Sequence, residues 1–171
     1  MAIADKLPQS SALNNFIADK DFVDCYSAQI QHTEQSIDDL ARGAQLKMPK
    51  WAIPLLLLRN IIVKPLGLKT TFEGQQSRTG TIKPGEYVNF FHVAERHDNE
   101  VIMGGDDKHL DYRVSVFRDN KVPETLYVAT WVHRNNWLGH AYLFFVLPFH
   151  KAIVRNMTKN IAKQKPPQPN G

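Results

Sequence analysis

The stretch from Lys83 to Arg134 constrains the fold more than any other part of the chain. Four runs rich in β-branched and aromatic residues, Tyr87–Ala94, Glu100–Met103, His109–Phe117 and Thr125–Arg134, follow one another closely. Their separators, Glu95–Asn99, Gly104–Asp107 and Asp119–Pro123, are four or five residues long and full of turn formers. Strands joined so tightly pair antiparallel, because a parallel crossover needs about a dozen residues or more. A doubly wound nucleotide-binding sheet is thereby excluded. Lys83-Pro84-Gly85-Glu86 opens the meander with the residues of a type II turn.

Asn135-Asn136 ends the β pattern and supplies an N-cap for a long final helix. Leu138, Ala141, Tyr142, Phe145, Phe149, Ala152, Ile153 and Met157 form its apolar stripe, and Lys151, Arg155, Lys159 and Lys163 a wet face. Its first half, Trp137–Leu147, is apolar on nearly every side, and Pro148 predicts a kink. Such a helix has to lie across one face of the sheet, leaving the other face for solvent or a partner. Upstream, residues 21–30 read as a first strand, with Phe22, Asp24 and Tyr26 on one side and Val23, Cys25 and Ser27 on the other. Ser36 and Asp39 resemble a capping box and open a short helix near 36–45. Pro54–Val63 reads as a second, buried helix that either begins near Pro54 or kinks there and is stopped by Lys64-Pro65, and residues 67–83 as a loop with at most a short strand. The class is α+β: a sheet gripping a helix.

At 171 residues the chain is long enough for one domain with its own core. That domain spans 1–171, with flexible ends expected at 1–12 and at the proline-rich 163–171. A net charge of +4 is too mild for a nucleic-acid binder. One cysteine, Cys25, excludes an internal disulfide and any multi-cysteine metal site, and reads as a buried thiol. No secretory signal opens the chain, and the apolar runs Trp51–Leu58 and Ala141–Phe149 are about half a spanning length. The expectation is a soluble cytoplasmic protein without stable membrane insertion. The aromatic and basic make-up of residues 136–157 also fits an interfacial helix, but a helix clasped by a sheet needs the same apolar girth for its core.

The element order resembles the START-like, or SRPBCC, helix-grip superfamily. There a curved antiparallel sheet wraps a long C-terminal helix after two short helices, and the cavity between them often holds an apolar ligand. One strand fewer is counted here than is usual, and the missing one is sought within Thr70–Ile82. More narrowly, GGDDKHLDYRVSVF (104–117) and LYVATWVHRNNWLGHAYLFFVLPFHKAIVRNM (126–157) resemble a bacterial family of unknown function. Its members stand alone or are fused behind short-chain dehydrogenase-like domains that use a nicotinamide cofactor. No Gly-rich dinucleotide motif occurs in this chain, so it resembles the stand-alone type, and no cofactor is expected. The resemblance brings no established catalytic residues.

Alternation places His109, Asp111, Arg113, Ser115 and Phe117 on one face of their strand, and Tyr127, Trp131 and His133 on one face of the next. The first set can orient a head group or serve in proton transfer, and it equally fits a solvated strand face. Tyr127 and Trp131 suit a pocket wall or a filled core. His133-Arg134-Asn135-Asn136, where strand becomes helix, suits an anion site or plain capping. The seven histidines fall on different elements with no helical pair four apart, so no metal site is expected.

The leading reading is a module that binds a small apolar or amphipathic molecule between sheet and helix. Phe91, Tyr127, Trp131, Tyr142, Phe145 and Phe149 form its pocket, with Arg113 and His133 as polar anchors. The alternatives are an acid–base enzyme of cyclase or isomerase type using His109, Asp111 and His133, and an interaction module for a dehydrogenase-like partner or a second copy.

Overall fold

A computed structural model describes residues 1–43 and 75–164. Among these residues seven strands, β1 (Ile3–Ala4), β2 (Phe22–Gln29), β3 (Tyr87–Val88), β4 (Phe91–His97), β5 (Glu100–Asp106), β6 (Leu110–Arg118) and β7 (Thr125–Arg134), form one antiparallel sheet. Their order is β1-β2-β7-β6-β5-β4-β3. Among the described residues two α-helices accompany it, the short α1 (Ile37–Arg42) and the C-terminal α2 (Trp137–Ala162), together with a 3-10 turn at Ala12–Phe16. The α+β class expected from the strand spacing is what the chain forms, and it is consistent with a helix-grip fold.

Local chemistry explains the boundaries. Ser36 Oγ accepts from the Asp39 amide at 3.1 Å and donates to the Asp39 carboxylate at 2.7 Å, which closes the first turn of α1. Asn136 Oδ1 accepts from Gly139 N–H and caps α2, which runs on through Pro148. Glu86 N–H reaches Lys83 carbonyl across a turn whose Gly85 has a φ of +90°, as a type II turn requires. The run 87–94 is not one strand. It folds back at Asn89-Phe90 into the β3–β4 hairpin, with Asn89 at φ 59°, a conformation asparagine tolerates.

The Gly104-Gly105 pair does not form a turn either. Both continue β5, because a Cβ at Gly104 would stand 2.0 Å from the Tyr112 carbonyl, so glycine is what lets β6 come so close. The reversal falls on Asp107-Lys108-His109 instead. The strands short in the sequence count are β1 and β3. The described part of 70–82 contributes only the bridge of Gln76 to Tyr87. The helix expected at Pro54–Val63 and the tail beyond residue 164 lie outside the described residues.

Strand alternation divides the core in two. Tyr26, Ala28, Phe91, Val93, Val101, Met103, Val114, Val116, Leu126 and Val128 share one cluster with Leu40 and Ala41 of α1 and Val154, Met157 and Ile161 of α2. Cys25, Ile102, Ala129 and Trp131 belong to the other face. That face is not left to solvent. The N-terminal segment lies on it, burying Leu13 completely and packing Leu7, Ala12 and Phe16 against the same cluster. Part of residues 1–12, expected as a loose end, is thus regular structure. The buried Glu100 carboxylate fastens it, accepting from Ser11 Oγ and Ala12 N–H at 2.6 Å each and from Ser115 Oγ.

Candidate functional site

The residues singled out in the sequence are divided between the two sides of the sheet. Phe91 is buried on the helix side, in the main core. Arg113, Tyr127, Trp131 and His133 stand on the opposite side, under or beside the N-terminal segment, so they share no space with α2. The register explains it: Arg113 faces Trp131 across β6–β7, and Phe117 faces Tyr127, placing all four on one pleat surface.

On this far side a polar cluster forms around Asp21, which ends the loop before β2. Its Oδ2 accepts from Trp131 Nε1–H at 2.8 Å and from Ala18 N–H at 2.9 Å, and its Oδ1 meets His133 Nδ1 at 2.6 Å. Burial alone would raise the Asp21 carboxyl, but the Ala18 amide, His133 and Trp131 together hold it below its ordinary value. An ionised carboxylate only accepts, so His133 carries its proton on Nδ1. Nε2 is the ring nitrogen turned away from the Asp21 carboxylate. The Asp21 side chain is 3% exposed and that of His133 is 44% exposed, which makes an oriented imidazole with access to solvent. The His133 ring lies nearly parallel to Trp131, at 17°.

Arg113 completes the cluster as a structural cation. Its guanidinium lies 5.2 Å from the Phe16 ring centre and 5.9 Å from that of Trp131, and pairs with Asp106 at 2.6 Å. It holds the N-terminal segment to the sheet. Of the proton-transfer set, Asp111 and His133 are direct cross-strand neighbours on β6 and β7, with their side chains bonded to different partners. His109 precedes β6 and is buried, with its carbonyl accepting from Asn135 N–H. The Asp111 carboxylate accepts from Asp107 N–H at 3.0 Å and Asn135 Nδ2 at 3.3 Å, which is turn chemistry.

Sequence reasoning missed Asp21. It lies 112 residues from His133, and only the β2–β7 pairing brings the two together. Cys25 is a buried free thiol, pushed up to about 12 by burial and by the nearby Asp5 and Asp24 carboxylates, and so is no nucleophile near neutral pH. Among the described residues no group of three or more His, Cys, Asp or Glu side chains could hold a metal ion.

The third set lies on α2. Three stripes run along this helix at spacings of three and four. Gly139, Leu143, Val154, Met157 and Ile161 are buried. Beside them Tyr142, Phe145, Phe149 and Ile153 form a flank of which Phe145 is 72% and Phe149 41% exposed, with Tyr142 and Ile153 half-buried. Outermost are Trp137, Ala141, Phe144, Pro148, Lys151, Arg155 and Lys159. The helix-side face of the sheet carries the half-buried aromatics Phe90 and Tyr112, packed against the core cluster.

A protein family of unknown function, DUF2867, matches residues 16–157 of the chain. The chain belongs to this family. No curated protein and no solved structure matches it. The DUF2867 match takes in the far-side cluster from Phe16 and Asp21 to His133, and α2 as far as Met157. It leaves β1 and the Ser11–Glu100 contact outside.

Proposed function

We propose that this DUF2867 domain binds an apolar or amphipathic small molecule on the helix side of its sheet, along the Tyr142–Phe145–Phe149 flank of α2. One observation carries the reading. The core is closed by the second half of α2 through Val154, Met157 and Ile161, while the first half leaves Phe145 72% exposed beside the half-buried Tyr142. The resemblance to the START-like helix-grip superfamily supports it, because members there often hold apolar ligands between sheet and helix. The proposed site is Phe91, Tyr142, Phe145 and Phe149; Tyr127, Trp131, Arg113 and His133 serve the far side. The setting proposed is the cytoplasm.

Titration with an alkyl-chain fluorescent probe tests the reading. Truncating Tyr142 or Phe149 to alanine is expected to weaken the affinity about tenfold each, with little loss of stability. Equal affinity in a folded Tyr142→Ala, Phe149→Ala pair would contradict it.

The Asp21–His133 pair favours a second reading, an acid–base enzyme in which His133 Nε2 takes up a proton. It predicts an activity lost in His133→Gln and reduced in Asp21→Asn. An activity insensitive to both would remove it.

A further inference from the structure

The outer stripe of α2 is divided lengthwise by chemistry. Trp137 and Phe144, 78% and 75% exposed, occupy its first two turns, and the exposed cations Lys151, Arg155 and Lys159 continue the same line. No carboxylate opposes them on the helix, because the last acidic side chain of the chain is Glu124. Six Lys and Arg residues follow Glu124, so its C-terminal part carries +6 and the residues up to Glu124 carry −2. The mild overall charge thus hides a strongly polar distribution. Asp106, in the strand leading to the turn beside the start of α2, is paired with Arg113.

A second feature lies against the basic end. A cleft of about 390 Å³ opens between β1 and α2, lined by Ile3, Ala4, Tyr26, Lys151, Ala152 and Arg155. It sets two cations over an apolar floor, beside the exposed Ile3. That pairing suits a phosphate group attached to hydrocarbon.

We propose that this face seats the domain on an anionic phospholipid surface. Trp137 and Phe144 enter the boundary between headgroups and acyl chains, where tryptophan in particular is favoured. Lys151, Arg155 and Lys159 meet the lipid phosphates, with one headgroup in the cleft between Lys151 and Arg155. Charge complementarity selects the occupant: a neutral protein surface would satisfy the aromatics and leave the cations unmatched. The second half of α2 stays packed in the core, so the helix lies on the bilayer and does not cross it. This stripe adjoins the flank assigned to the small ligand, Phe144 meeting Phe145 edge-on at 5.5 Å between ring centres, and docking there would give such a ligand a short path from lipid.

Co-sedimentation with vesicles of phosphatidylcholine alone, and of phosphatidylcholine with phosphatidylglycerol, tests this. Wild type is expected to pellet with the anionic vesicles, weakly with the neutral ones, and to be released by high salt. The pair Lys151→Gln, Lys159→Gln leaves the Arg155–Ala2 contact intact and is expected to lower partitioning about 30-fold. The pair Trp137→Ser, Phe144→Ser, at exposed positions, is expected to lose binding with an unchanged melting curve. A folded wild type that ignores anionic vesicles overturns the proposal, as does a lysine pair that binds like wild type. So does a dimer, seen by light scattering, that the Trp137→Ser, Phe144→Ser pair converts to monomer without any vesicle binding.

Discussion

The two halves of α2 are both rich in apolar side chains, yet they contribute unequally to the core. In the second half Val154, Met157 and Ile161 meet β-sheet and α1, and polar residues take the outside. In the first half Leu143 and Gly139 make the packing contacts, while Trp137, Phe144 and Phe145 stay largely exposed. The difference separates apolar residues kept for the core from those the core does not need. Exposed aromatics on a helix already anchored elsewhere point to a ligand or a surface.

Substitutions along the helix can break this contrast. Ile161→Ala, at a fully buried site, is expected to cost about 2–5 kcal/mol in urea unfolding, from lost burial and the cavity left behind. A cost no larger than that of a surface mutation would place the core elsewhere. Gly139→Ala comes next, and its sign is the informative part. Alanine normally stabilises a helix by about 1 kcal/mol over glycine. Here the new Cβ would stand 2.1 Å from the His109 carbonyl, so a loss of about 1–3 kcal/mol is expected. A gain in melting temperature would show that the start of α2 is not seated on the β5–β6 turn.

The second half also leans on α1, which Asp38 ties to β4 through its salt bridge to Arg96 at 2.7 Å. Asp38 also accepts from Ile82 N–H at 3.0 Å. Burial would raise this carboxyl, but Arg96 and the Ile82 amide outweigh it and hold the value below the ordinary 3.8. A lowered folded value means stability that is complete above the unfolded value and is lost as pH falls through the folded one. Wild type should therefore weaken on the acid side, and Asp38→Asn should flatten that limb while lowering stability at neutral pH. An acid limb of the same steepness in the variant would move the effect to other carboxylates, Asp21 among them. The smallest effect belongs to Phe145→Ala, expected to change stability by no more than about 0.5 kcal/mol. A loss several times larger would make that side chain part of the core.

Much of the fold was legible because it rests on local signals. Turn residues at short spacing announced the antiparallel meander, Ser36 and the Asn135-Asn136 pair announced the helix starts, and alternation sorted the strand faces correctly. What alternation could not tell was which face meets α2. That depends on how the sheet is covered, and the covering of the far face comes from Leu7–Phe16, a segment with little periodic pattern of its own. Hence Trp131 and Phe149 looked like walls of one pocket and are separated by the sheet. Gly104-Gly105 looked like a turn because glycine marks both reversals and close backbone approaches, and only the partner strand distinguishes them. The Asp21–His133 pair left no trace, since two polar residues far apart in the chain carry no pattern until β2 and β7 pair. The family match gave no help with roles, DUF2867 being of unknown function.

On the proposed reading, the aromatic flank of α2 exists for a small apolar ligand. Native mass spectrometry of freshly purified protein, followed by organic extraction, tests it most directly. The expected result is an excess mass that leaves on denaturation, is recovered in the organic phase, and is absent from the Tyr142→Ala, Phe149→Ala pair. The same excess mass on wild type and on that folded pair would contradict it, as would a bare wild type that takes up no apolar compound from a lipid extract.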